Sequence, residues 1–217
     1  MRIMIHTIPE RIDNASDIEA ELISQGFPKD DIFFYADCDL KGPLPAFLGS
    51  IDWLDRRIID PYEDVWHLQD DVELSKDFVS EIAKLCFRPD NFYHVICGFA
   101  SNADIIKPGA KGWEAFDMHH SFPCIRIKSD IASNFAMWVR NSEDSWVTEK
   151  VATGKYDDTL FRRFVWESRN DKSPITYKNL QHSLVDHRGD IYGSIANPAR
   201  KDPLRAINFL DEVESEE

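Results

Sequence analysis

The opening 36 residues place the tightest constraint on the fold. Arg2 to Ile8 alternates and is β-branched enough for a strand, and Pro9, which lacks a backbone donor, ends it. Ile18, Leu22 and Ile23 then recur at helical spacing, with Asn14 or Ser16 as the expected cap and Gly26 as the stop. Ile32 to Ala36 reads as a second strand, followed by the polar turn Asp37, Cys38, Asp39. A strand, a helix and a strand in this order make a βαβ unit, whose right-handed crossover sets the two strands parallel. Sheets of this kind collect ligands at the carboxyl ends of their strands. The expected class is therefore α/β: a Rossmann-type sheet flanked by helices.

The rest of the chain continues the pattern. Lys41 to Gly49, K-G-P-L-P-A-F-L-G, is expected to be a loop from its proline and glycine content. Val65 to Leu68 is a short apolar strand, and Ser75 or Asp77 is expected to start a helix through Leu85. Tyr93 to Phe99 and Ile125 to Ile127 are strand-like, Ala100 to His120 is irregular, and Ser129 to Val139 has helical spacing through Ile131, Phe135 and Trp138. Asp157 and Asp158 precede the amphipathic run Leu160, Phe161, Phe164, Val165. Residues 1–210 are read as one domain, and 211–217, with five acids in seven positions, as a solvated tail.

Composition removes whole classes. With 217 residues, 43% of them hydrophobic, the chain can bury a core and is not disordered. A net charge of −14 disfavours duplex DNA, since neutralising phosphates with Lys and Arg supplies most non-specific affinity. No apolar run reaches the roughly 20 residues of a membrane span. Arg2, His6, Glu10 and Arg11 interrupt the region a signal peptide would need, which predicts a cytoplasmic protein, in the host cytoplasm if the source is viral. The four cysteines show no C-x-x-C spacing, so mostly buried thiols are expected.

Phosphate-loop, dinucleotide, serine-hydrolase and zincin motifs are all missing. The most informative segment is W-H-L-Q-D-D-V-E-L, residues 66–74. Two adjacent carboxylates after a buried strand repel unless a cation or donors compensate them. A divalent ion is the simplest compensation, and oxygen ligands suit Mg²⁺ or Mn²⁺. The same pair also fits a solvated strand end that caps the next helix. His187, in Q-H-S-L-V-D-H-R-G-D, reads either as a metal ligand or as a surface histidine. The acids of Y-D-D-T-L-F fit equally well as partners of a helix dipole.

Taken together and in order, T-I-P-E-R, L-Q-D-D-V-E-L-S-K-D-F, Y-D-D-T-L-F-R-R-F and S-L-V-D-H-R-G-D resemble the successive motifs of small GT-A-fold glycosyltransferases that use nucleotide sugars. The resemblance implies a GT-A-like mixed sheet and transfer of a sugar from a nucleoside-diphosphate sugar, UDP-linked by preference, to an acceptor hydroxyl, with inversion. It implies Mn²⁺ or Mg²⁺ held by Asp71, at the last carboxylate of the family's acidic motif, with His187 as the further ligand of the metal or of the diphosphate. Asp70 would lie near the donor ribose or sugar; Gln69 stands where the family more often has an acid, His182 replaces a usual proline, and Arg188 is an unusual neighbour. Donor contacts are expected from Thr7, Ile8, Pro9, Arg11, Asp37, Asp39, Gln69, Asp70 and Arg188. Asp157, the first acid of the pair with Asp158, is expected to be the catalytic base.

The acceptor is a glycan, a protein or a modified DNA base. Trp113, His119 and His120 are acceptor candidates, with core packing the other reading of Trp113. A basic patch of His119, His120, Arg126, Lys128, Arg162 and Arg163 would favour DNA, and Arg200, Lys201 and Arg205 read either as cations folded over the diphosphate or as ordinary surface charge. The competing readings are a nucleotidyltransferase, which also pairs carboxylates with metals, and a non-catalytic nucleotide-binding module.

Overall fold

The first strand, β1 (Arg2–Thr7), buries Ile3, Met4 and Ile5 completely and so engages both faces of the sheet, as a central strand does. The computed structural model describes residues 1–39, 41–57, 60, 62–86, 93–100, 113, 116–118, 122–155, 157–187, 206 and 209; for His187 it describes the backbone only. A short 3₁₀ turn, Pro9–Arg11, leads into α1 (Ile12–Ser24), which turns Ala15, Ile18 and Leu22 inward. Gly26, at φ 92°, follows its end. Neither Asn14 nor Ser16 caps this helix. It begins before them because the 3₁₀ turn runs straight into it, with Ile12 N–H donating to Pro9 O. β2 (Ile32–Ala36) then pairs with β1 in parallel.

Residues 41–49 are not a loop. From Pro43 they form α2 (Pro43–Asp55), which buries Leu44, Phe47, Ile51 and Leu54. Pro43 and Pro45 fall in the first turn, where backbone N–H groups have no partner within the helix and proline costs little. The apolar spacing outweighs the proline content.

β3 (Asp64–Gln69) is followed by β4 (Val72–Leu74), α3 (Phe78–Cys86), β5 (Val95–Cys97), β6 (Cys124–Lys128), α4 (Ser129–Asn141), α5 (Ser145–Ala152), α6 (Asp157–Glu167), β7 (Tyr177–Asn179) and β8 (Val185–His187). The strand expected over 93–99 is thus shorter, and β4, α5, β7 and β8 are additions to the sequence reading. The main sheet has the order β2-β1-β3-β6-β5-β7. β6 runs antiparallel to β3 and β5, and the other neighbours are parallel. Every strand but β6 therefore ends at one edge. This is the expected α/β class, a Rossmann-type mixed sheet flanked by helices.

Strand alternation gives each face its own core. Ile3, Ile5, Trp66 and Leu68 pack with Ile18 and Leu22 of α1 and Phe78 and Ile82 of α3. Ile125 and Ile127 pack opposite, against Phe47, Phe135 and Phe161 of α2, α4 and α6. Full burial of such side chains contributes about 1.5–3 kcal/mol each. No disulfide joins the cysteines: Cys97 and Cys124 are buried on opposite faces, Cys86 is half-buried and Cys38 is exposed. Among the described residues no helix is long and apolar enough to cross a membrane.

Candidate active site

Where β1 and β3 end, the side chains of the first turn close on the paired carboxylates. Thr7 Oγ1 donates to Asp70 Oδ2 at 2.7 Å. Arg11 Nη1 donates to Asp70 Oδ1 at 3.1 Å and lies 3.6 Å from Asp71 Oδ2. Asp70 is only 5% exposed. Burial pushes its pKa up, Thr7 and Arg11 pull it back, and the charge of Asp71 raises it further. Part of the compensation that the sequence alone would assign to a metal thus comes from Arg11. One guanidinium serves both carboxylates. Arg11, expected to meet phosphates, faces these carboxylates. Ile8 accepts from Arg11 N–H at 2.9 Å, Pro9 opens the 3₁₀ turn, and half-exposed Gln69 donates its N–H to Pro123 O at 3.2 Å.

Asp71 and position 187 are brought together by β4 and β8. These strands pair antiparallel with Val72 opposite His187, so the backbone of His187 lies beside the residue that follows Asp71. The late segment is anchored: Leu184 N–H donates to Gly98 O at 2.8 Å, Ser75 N–H to Leu184 O at 3.0 Å, and Ala206 N–H to Asp186 Oδ1 at 2.7 Å. Among the described residues no three His, Cys, Asp or Glu side chains cluster as a complete metal site. Asp71 nevertheless fits the oxygen chemistry of Mg²⁺ or Mn²⁺, which takes one or two protein carboxylates and completes its shell with water and phosphate. The side chain of His187, and Arg188 entirely, lie outside the described residues.

Asp157 opens α6 and is 8% exposed. Burial, then the charge of Asp158, pushes its pKa up to about 7, against two backbone N–H groups that favour the ionised form. Asp158 instead accepts from Thr159 N–H at 2.6 Å and holds the first turn of the helix. Asp37 is 9% exposed, and its Oδ2 accepts from Gly42 N–H at 3.0 Å. Exposed Asp39 pairs with Lys41 at 2.6 Å.

Behind this edge lies a histidine couple that the sequence reading did not single out. His6 Nε2 and His67 Nδ1 are 2.9 Å apart, with Phe47 at ring-centroid distances of 5.8 and 5.0 Å. His67 is 1% exposed, and its Nε2 makes no hydrogen bond among the described residues. The signal was present: both positions fall on the same face of adjacent central strands, but only the register makes them meet. Burial holds His6 down to about 4 and His67 well below its ordinary value. The unfolded chain therefore takes up protons near pH 6.5 that the folded chain refuses, and stability falls as the pH drops from 6.5 towards 4. His6→Gln removes one such group. Its stability difference from wild type should shrink over that interval in urea denaturation; a constant difference would show that His6 titrates normally.

Trp113 packs on Trp146 at 5.0 Å, which favours its packing role. The described members of the expected basic patch are each claimed by an acceptor within the fold. Arg126 is 0% exposed and donates to Asp64 at 2.8 Å and to Tyr93 O; Lys128 pairs with the same carboxylate at 3.1 Å. Arg162 is buried under Phe116 O, and Arg163 pairs with Asp144 and Glu167. Arg126 and Arg162 are buried and find acceptors inside the fold, because an unpaired buried charge is costly, while Lys128 and Arg163 pair with acids nearer the surface. His119, His120, Arg200, Lys201, Arg205 and the tail 211–217 lie outside the described residues.

The sequence matches no family model, and no curated protein matches it. Similar chain courses are found among solved structures. A glycosyltransferase involved in the glycosylation of the major capsid of PBCV-1 is 13% identical, with a TM-score of 0.48 over 83% of this chain and 82% of that one. A putative glucose-1-phosphate thymidylyltransferase from Bacillus anthracis, in complex with sucrose, is 12% identical, with a TM-score of 0.42 over 85% and 69%.

Proposed function

We propose that this chain is a glycosyltransferase that moves a sugar from a nucleoside diphosphate, UDP by preference, to an acceptor hydroxyl with inversion. The observation that carries the reading is the β4–β8 register, which sets position 187 beside the Asp70–Asp71 pair at the ligand-collecting edge of the sheet. Asp71 and His187 would hold Mn²⁺ or Mg²⁺. When bound, the ion supplies Lewis-acid stabilisation of the charge on the departing diphosphate.

The protein's own groups have separate tasks. Asp70, fixed by Thr7 and Arg11, offers a preset carboxylate to a donor hydroxyl. Asp157 accepts the proton of the acceptor hydroxyl as its oxygen attacks the anomeric carbon opposite the leaving group. A base with a pKa near the working pH suits that step, and burial moves Asp157 there. The acceptor class is a glycan, protein or modified base, and the pairing of Arg126, Lys128 and Arg163 with acids weakens one support for DNA. We place the reaction in the cytoplasm, on a single domain spanning residues 1–210.

Titration calorimetry with UDP tests the reading. Binding in Mn²⁺ that disappears with chelator, and that Asp71→Asn weakens at least tenfold, is the expected result; a bidentate or charged ligand contact is worth about 1.5–3 kcal/mol. Failure to bind any nucleoside diphosphate, with or without metal, would instead indicate a module without this chemistry. Release of pyrophosphate from a nucleoside triphosphate and a sugar phosphate would indicate nucleotidyl transfer.

A further inference from the structure

We infer that Asp37 is a positioning residue, which sets the start of α6 through a pair of glycines, and is not a contact for the donor. The inference deepens the sugar-transfer reading and rests on it for the role of Asp157. The contacts run from the end of β1 to Gly154. Asp37 N–H donates to Thr7 O at 2.9 Å, which extends the β1–β2 ladder past its last pair and fixes the aspartate to the sheet. Its buried carboxylate takes the N–H of Gly42, the residue before α2.

Gly42 sits at φ 103° and ψ 174°, a conformation open to glycine alone. A Cβ there would lie 2.6 Å from Gly154 O, and a Cβ on Gly154, at φ 67°, would lie 2.5 Å from Lys41 O. Leu44 N–H completes the clip by donating to Gly154 O at 3.2 Å. Gly154 stands three residues before Asp157. The end of β1 is thereby coupled, through one carboxylate and two bare backbones, to the acid that opens α6.

An amide oxygen can accept the Gly42 N–H in the same place as the carboxylate oxygen, with a weaker bond. Asp37→Asn therefore keeps the clip, and Asp37→Ala breaks it. A ribose or base contact would respond differently, losing donor affinity in the alanine variant with the turnover step intact.

The test combines three measurements on the intact protein. The side-chain titration of Asp157, followed by carbon NMR without substrate, should move down towards the ordinary carboxylate range in Asp37→Ala, as water reaches α6, and stay put in Asp37→Asn. UDP–Mn²⁺ affinity should be retained in both. Turnover should fall roughly 10-fold to 100-fold in Asp37→Ala with donor KM unchanged, the scale of a misplacement of about 1 Å, and recover in Asp37→Asn. Loss of UDP affinity in both variants with the Asp157 titration unmoved overturns the inference. If Asp37→Ala does not fold, Asp37→Asn decides alone: a Gly42 amide protected from exchange with full turnover supports positioning, and weakened UDP binding overturns it. Should the titration move as expected while wild type binds no nucleoside diphosphate, the positioning stands and the sugar-transfer reading fails.

Discussion

Asp157→Asn is expected to cut transfer by roughly 10² to 10⁴-fold, the usual weight of a general base, while UDP binding is unchanged. The same substitution should stabilise the fold at neutral and alkaline pH. Asp157 has a folded pKa of about 7, above its ordinary value. Between about pH 4 and 7 the unfolded chain releases this proton before the folded chain does, so stability falls as pH rises through that window. Every tenfold difference in proton affinity between the two states is worth roughly 1.4 kcal/mol. Asparagine carries no such cost, so the variant should melt higher than wild type at pH 8 and match it near pH 4. Wild-type kcat should rise with pH through about 7. Wild-type turnover in the variant would remove Asp157 from the chemistry. Equal melting points at both pH values would show instead that the carboxylate is not held in a desolvated place.

The second large effect concerns the glycine clip. Gly42→Ala forces alanine into a region that costs about 1–3 kcal/mol, and drives a Cβ to 2.6 Å from a backbone oxygen. Overpacking of that kind adds about 1–3 kcal/mol. A combined loss of roughly 2–6 kcal/mol corresponds to a Tm lowered by about 5–20 °C for a chain of this size. Gly154→Ala should behave similarly, since its Cβ meets Lys41 O. Gly26 is the control: it also has positive φ, but nothing lies within 4 Å of a Cβ there, so Gly26→Ala should cost only about 1–2 kcal/mol. Urea denaturation of the three variants measures this directly. Were Gly42→Ala no worse than Gly26→Ala, the two backbones would not be fixed at close approach.

How much of this was legible in the sequence depends on range. The βαβ opening was readable because its apolar periods are local, and the Asp70–Asp71 pair stood out because adjacent buried carboxylates demand a reason. α2 was misread because Pro43 and Pro45 look like breakers unless the helix start is already known. β4, β7 and β8 have three residues each, too few for a period to show. Their pairing joins distant positions, Val72 with His187 and Val95 with Tyr177, which no local pattern encodes. The same holds for the partners of cations: Arg11 was assigned to phosphate and Arg126 to a surface patch because a sequence shows a charge without showing the carboxylate that claims it. Asp157 was found by position; its desolvation needed the packed helix.

The reversal of β6 carries a wider implication. The chain leaves β5 at Cys97 and re-enters at Cys124, and Gly98 N–H meets Cys124 O at 2.9 Å where the two ends touch. A connection tied at adjacent points changes length at little entropic expense, about 0.6 kcal/mol per doubling. That stretch can therefore vary in length and sequence while β1, β2 and β3 keep their parallel pairing.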